Sequence, residues 1–237
     1  MGFTLVARAL ALAVVASLLA LVPTAPAQAA LSHVRGINGV LYDTCRYHQF
    51  RYDVSGTAYD WDLEVDLYDS RGVAVDWAWL NSTSDPASGK TRGSDGFHFC
   101  GWERPGRYTM KATLTRYDHN YNSTTERFTS SFTMRRPRTR TSLRVNDRTP
   151  RSGQVLRFRA RSTAEYPKGY FAKDFARVVL QRKTGRGWKR VRAGYTNRRG
   201  VAAFRVRWRR GDSRRLRAVT KSDVPFAASR SRVVRLR

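Results

Sequence analysis

From residue 39 onward, apolar side chains recur at every second position and are interrupted by turn residues. No stretch keeps the three-to-four-residue period of an amphipathic helix, so the pattern predicts an all-β chain. Trp61, Leu63, Val65 and Leu67 alternate with Asp60, Asp62, Glu64 and Asp66, which places four apolar side chains on one face of a strand and four carboxylates on the other. Asp69, Ser70, Arg71 and Gly72 read as a hairpin turn leading into a return strand at 73–80. Further strands are predicted at 39–42, 47–54, 96–100, 107–115 and 127–134, with 81–96, rich in Ser, Thr, Asp and Gly, as a long exposed loop. In the second half, Leu156, Phe158 and Ala160 alternate with Arg157, Arg159 and Arg161, and Phe204, Val206 and Trp208 with Arg205, Arg207 and Arg209. These are strands with one core face and one guanidinium face. Segments 143–146, 177–183, 188–192, 216–221 and 232–236 bring this half to about seven strands, which fits a β-sandwich.

The amino terminus departs from this pattern. A run from Ala9 to Val22 follows Arg8, is built almost wholly of Ala, Leu and Val, and ends at Pro23 and Pro26 before the small-x-small sequence Ala27, Gln28, Ala29. The expectation is a signal peptide at 1–29, cleaved after Ala29, because the run is well short of the roughly 20 residues of a membrane-spanning helix. The remaining chain suits two domains of roughly 100 residues each. Cys45 and Cys100 are the two cysteines, and an isolated pair in an exported chain reads as one disulfide. The expected order is a disulfide-containing sandwich at 30–135, a linker at 136–141 without apolar periodicity, and a basic sandwich at 142–237.

Charge separates the two halves. The chain carries a formal +27, yet residues 30–135 hold 12 Lys or Arg against 13 Asp or Glu, while residues 136–237 hold 32 against 5. Arginine outnumbers lysine 38 to 7, a codon-level preference that does not account for the neutral first half. The second half is therefore expected to attract polyanions, an anionic cell-envelope polymer foremost, through Arg157, Arg159, Arg205, Arg207 and Arg209. No aromatic residues interleave that face and no RNP, KH or helix-turn-helix pattern accompanies it, so binding should be electrostatic, blind to nucleic-acid sequence and weakened by salt.

The series Val178, Val179, Leu180, Gln181, Arg182, then Gly187, Trp188, Lys189, Arg190, Val191, then Thr196, Asn197, Gly200 and Phe204, and finally Arg217, Ala218, Val219 and Ser229 to Ser231, resembles a bacterial immunoglobulin-like repeat. Such repeats are common in secreted and surface proteins of actinobacteria. The resemblance covers about 141–237 and implies two tandem immunoglobulin-like β-sandwich domains acting as spacer or binding units, with no catalytic residues. In the first half, Pro105, Gly106, Arg107, Tyr108 and Thr109 are similar to the turn entering a late strand of such sandwiches. Cys100 precedes Tyr108, whereas the second antibody cysteine follows that tyrosine by two residues, a departure that calls the usual inter-sheet disulfide position into question and leaves the sandwich itself untouched.

Other constellations are weaker. The row Asp60, Asp62, Glu64 and Asp66 offers carboxylates for calcium, but alternate strand residues lie about 6 to 7 Å apart and read as a solvated face or a partner for the arginine-rich domain. His48 and His98 neighbour the cysteines, close enough in sequence to suggest a zinc site, except that disulfide sulfur cannot serve as thiolate ligand. Ser94, Asp95 and His98 lie close together, while the nucleophile-elbow, metalloprotease and phosphate-loop motifs are missing. No catalytic residue, cofactor or metal is expected. Trp77 and Trp79 are assigned to the core, and Tyr117, His119 and Tyr121 to a polar loop with stacking capacity. Asn81-Ser82-Thr83 and Asn122-Ser123-Thr124 match the glycosylation pattern. The leading expectation is a secreted, non-catalytic binding or structural protein. A secreted enzyme or enzyme inhibitor acting through the 81–96 loop, or a plain spacer, stands as the alternative.

Overall fold

In the computed structural model, residues 32–54, 60–83 and 90–237 are described. The predicted signal peptide with its cleavage point, and residues 84–89 of the predicted loop, lie outside them. Every regular element among the described residues is a strand.

The first half contains β1 (His33–Gly36), β2 (Gly39–Val40), β3 (Arg46–Asp53), β4 (Asp60–Tyr68), β5 (Ala74–Asn81), β6 (Arg92–Phe99), β7 (Gly106–Tyr117) and β8 (Ser123–Arg135). They form a three-stranded sheet, β1-β3-β6, and a five-stranded sheet, β2-β8-β7-β4-β5. All pairs are antiparallel except β2 on β8. Splitting the first strand between two sheets, pairing β3 with the distant β6 in one and placing the β4–β5 and β7–β8 hairpins in the other is an immunoglobulin-like topology. The two-residue alternation fixes the core: Trp61, Leu63, Val65 and Leu67 of β4 meet Phe50 and Tyr52 of β3, Phe97 and Phe99 of β6, and Tyr108, Met110, Ala112 and Leu114 of β7. Strand β6 begins at Arg92, so the predicted 81–96 loop is shorter than its composition suggests. Ser94 and Gly96 are polar or small, yet pairing with β3 recruits them into the ladder.

Cys45 and Cys100 form the disulfide. They stand one step beyond the Arg46↔Phe99 pair, so the bond joins neighbouring strands of one sheet and does not cross the core. Met110, two residues after Tyr108 and fully buried, occupies the position of the second antibody cysteine. The Tyr108 hydroxyl donates to the Arg104 carbonyl at 2.7 Å, a tyrosine corner that pins the chain entering β7. Burial, with the Glu103 and Asp69 carboxylates nearby, pushes this hydroxyl up to about 12. A raised value means the neutral phenol is favoured in the fold. Its contribution is full below about pH 10 and is lost as pH rises toward 12. Tyr108→Phe is expected to cost about 1 to 2 kcal/mol near neutral pH and to remove part of the alkaline loss of stability. Urea titrations of both proteins across that window check this; parallel pH profiles would remove the corner from the argument.

The second half contains β9 (Thr139–Val145), β10 (Val155–Tyr166), β11 (Gly169–Ala172), β12 (Arg177–Thr184), β13 (Gly187–Tyr195), β14 (Val201–Arg207), β15 (Arg215–Thr220), β16 (Ser229–Arg230) and β17 (Val234–Arg235). One sheet places β10 between β9 and β14, with β11 also on β10; the other runs β13-β12-β15, followed by β16 and β17. This is the same immunoglobulin-like division with a separate core of Leu156, Phe158, Ala160, Val178, Leu180, Phe204, Val206, Trp208, Leu216 and Ala218. Nine strands replace the seven expected, because the last strand is split and a short β10–β11 hairpin carries no long apolar run.

The two sandwiches meet with little slack. β8 ends at Arg135 and β9 begins at Thr139, inside the segment read as a linker. The Arg135 guanidinium grips Glu165 through two hydrogen bonds of 2.8 Å, and the Arg138 backbone N–H adds a third at 2.8 Å. Arg135, with Arg138, holds the Glu165 carboxyl far down, at about 2. Ala227 N–H donates to the Pro137 carbonyl at 3.0 Å. A Cβ added at Gly101 would stand 2.7 Å from the Tyr42 carbonyl and 3.1 Å from Pro225, so the absence of a side chain permits this close approach of the domains.

Candidate functional site

The register of β9, β10 and β14 assembles the arginines into one surface. Phe158 and Ala160 point into the core, so Arg157, Arg159 and Arg161 point outward. Arg157 stands directly opposite Arg205, Arg159 opposite Arg144, and Val155 opposite Arg207. All of these arginines are exposed, and among the described residues none of Arg144, Arg157, Arg159, Arg205 and Arg207 has an ion-pair partner within 4.0 Å. Like charges directly opposite on a sheet are destabilising. The face therefore sets up a positive potential that no ion pair among the described residues neutralises.

Arg144, Val145, Asn146, Arg157 and Arg159 line a shallow cleft of about 300 Å³ on this surface. A second, larger cleft of about 770 Å³ lies along the β9 edge and is lined by Arg148, Arg232, Arg235 and Arg237 with Thr141 to Leu143. Neither lining includes a carboxylate side chain. Of the residues singled out from sequence, Arg157, Arg159, Arg205 and Arg207 share one face. Arg209 continues the outward parity past β14, in a turn where Asp212 accepts its backbone N–H and pairs with Arg182. Arg144 was legible from its alternation with Leu143 and Val145. Arg148 closely follows β9 in the chain, whereas Arg232 and Arg235 were not legible, because the pairing of β17 with β15 brings them to the β9 edge.

The other sequence candidates do not converge. His48 and His98 are on opposite sides of the β3–β6 pair: His48 donates its Nε2–H to the Ile37 carbonyl at 2.5 Å and packs on Phe99 and Phe132, whereas His98 packs against Tyr47. Strand parity separates them despite the nearby disulfide. Ser94 and His98 sit four residues apart on one strand, a separation of about 13 Å, and Asp95 is engaged by the Tyr47 hydroxyl. Asp62, Glu64 and Asp66 do line one outward face of β4, with Asp62 accepting from Tyr117 at 3.2 Å. Tyr121 is exposed in the turn between β7 and β8, where Asp118 caps the backbone of Asn120 and Asn122.

The assignment of Trp77 and Trp79 to the core is overturned: they are 70% and 50% exposed. Ala78 and Leu80, the other parity of β5, face the core instead. β5 borders the sheet, and pairing Leu80 with Leu63 commits the tryptophans to solvent, where they share the outward face with the β4 carboxylates.

No protein-family model matches the chain, and no curated protein does. Among solved structures, the chain is similar to murine CEACAM1b at 14% identity and a TM-score of 0.31, covering 86% of this chain and 99% of that one. It is similar to the D0–D1 domain of intimin at 13% identity and a TM-score of 0.28, covering 85% and 96%. It is also similar to a tetra-tandem repeat from the extending region of a large adhesion protein, at 9% identity and a TM-score of 0.30. That match covers 87% of this chain, which spans half the length of the repeat structure. These overlays are loose, and the immunoglobulin-like fold rests on the strand order itself.

Proposed function

We propose that this is a secreted or cell-envelope-associated, non-catalytic binding or structural protein whose second sandwich adheres to an anionic polymer. The single observation that carries the reading is the arginine face of β9, β10 and β14, with Arg157 against Arg205 and Arg159 against Arg144 and no ion-pair partner for these four among the described residues. A repeated phosphate or carboxylate along a flexible polymer would relieve that repulsion at each step. The apolar leader read in residues 1–29 and the Cys45–Cys100 disulfide support an oxidising, extracytoplasmic setting. No helix among the described residues is long and apolar enough to cross a membrane.

The experiment is a salt series on the disulfide-bonded protein, with a poly(glycerol phosphate) polymer and a mixed-sequence DNA duplex as probes. Both are expected to bind, with affinity falling steeply as salt rises. Replacing Arg157, Arg159, Arg205 and Arg207 by Ser is expected to reduce the slope of log K against log salt on DNA by roughly 3 to 4, about 0.9 per lost phosphate contact. Failure of the unaltered protein to bind either probe at low salt would sink the reading, and an unchanged slope would move the site elsewhere.

A further inference from the structure

We propose that the outer face of the five-stranded sheet in the first sandwich docks the arginine face of the second sandwich in another copy of this chain. Two large indoles held in solvent on a border strand form an apolar surface that the described residues leave exposed, and such patches mark interaction sites. Register places Trp77 directly opposite Asp66 and Trp79 directly opposite Glu64, with Asn81 opposite Asp62. Each exposed tryptophan thus has an acidic residue directly opposite, with Cβ atoms about 5 Å apart across the strands, the pair of groups that a guanidinium can engage at once by stacking and by charge-assisted hydrogen bonds.

The complementary face matches in spacing as well as sign. Asp62, Glu64 and Asp66 repeat every second residue on β4, and Arg157, Arg159 and Arg161 repeat every second residue on β10, so both rows advance about 6 to 7 Å per step. Laid face to face, one ion pair can form at each step. Arg205 and Arg144 flank the arginine row as β5 flanks the acidic row. The chemistry already occurs inside the chain: Arg217 stacks on Trp188 at 4.1 Å and Arg140 on Tyr170 at 3.6 Å. Basic residues on the acidic face stand on β7 and β8, with Lys111 directly opposite Asp66. They are Arg107, Arg127 and Lys111, the last drawn over the Tyr68 ring at 4.5 Å. Neither Glu64 nor Asp66 has an ion-pair partner among the described residues.

The arginine face of the same chain does not cover the tryptophans, since both surfaces are exposed and the junction between the sandwiches is held by Arg135, Glu165 and the close approach at Gly101. The occupant is therefore a second copy. Pairing two different faces is heterologous and leaves one free face at each end, so the assembly extends as a chain or closes as a ring. This inference does not depend on polymer binding, and it is read without any polymer present.

The test is sedimentation velocity on the disulfide-bonded protein at about 100 μM, in about 50 mM and about 500 mM salt. Concentration-dependent oligomers are expected at low salt and monomer at high salt. Glu64→Arg with Asp66→Arg, and separately Arg157→Glu with Arg159→Glu, should each leave a monomer. Mixing these two variants should restore association, because the intact acidic face of one meets the intact arginine face of the other, and this recovery also shows that both are folded. Trp77→Ala with Trp79→Ala should weaken association about ten-fold. The proposal is overturned if the unaltered protein stays monomeric at low salt, if either reversed variant still self-associates, or if the mixture does not. Indole fluorescence of a monomer responding to oligosaccharides would overturn it in favour of a glycan-binding platform.

Discussion

Replacing both cysteines, Cys45→Ser with Cys100→Ser, is expected to lower the stability of the first sandwich by roughly 4 kcal/mol. The bond closes a sequence separation of 55 residues, and the unfolded chain regains that loop's conformational freedom when it is removed. The two sulfurs tie the ends of β3 and β6, beside the stretch where Gly101 lies against Tyr42 and Asp43, so the loss is concentrated at the junction-facing end of the domain. The second sandwich has its own core and no cysteine. Denaturant unfolding should accordingly separate into two transitions, with the earlier one belonging to residues of the first domain and reported by its tryptophans. A loss below about 1 kcal/mol would mean that β3 and β6 stay close together in the unfolded chain without the bond.

Phe158→Ala is expected to destabilise the second sandwich by about 3 to 5 kcal/mol, whereas Arg157→Thr, one residue away, should be neutral or stabilising by a few tenths of a kcal/mol. Phe158 is fully buried, faces Phe204 across β14 and Val145 across β9, and its removal leaves a void between two sheets. Arg157 projects outward opposite Arg205, so its deletion relieves repulsion and supplies a β-branched residue with good strand propensity. Thermal or urea unfolding of the two variants checks the contrast. If Arg157→Thr lost more than about 1 kcal/mol, the arginine face would be a structural element of the sheet and its charge would need no external partner. A neutral outcome would leave a face that contributes nothing to folding, as expected of a binding surface.

The alternation at the heart of β4, β10 and β14 was decisive as read from sequence, because over 60–67, 156–161 and 204–207 one parity is wholly apolar and the other wholly charged. Burying a row of carboxylates or guanidinium groups is prohibitive, so only one orientation of each strand is possible. Two cysteines permit a single pairing, and the confinement of the basic excess to residues 136–237 is a matter of counting. These features determined the all-β class, the disulfide and the sign of the second domain's surface. β5 had no such asymmetry. Trp77 and Trp79 compete with Ala78 and Leu80 for the interior, both parities are apolar, and size alone favours the tryptophans. Only the register with β4, where Leu80 pairs Leu63 and Trp79 pairs Glu64, decided which side was buried. In the same way, proximity in sequence could bring His48 toward His98, but strand parity sets them on opposite faces. Arg232 and Arg235 line a second cleft with Arg148 because the final strand returns to the β9 edge. The local period of two assigns each side chain to a face, while which faces meet water, and which distant residues share them, follows from long-range pairing that no local pattern encodes.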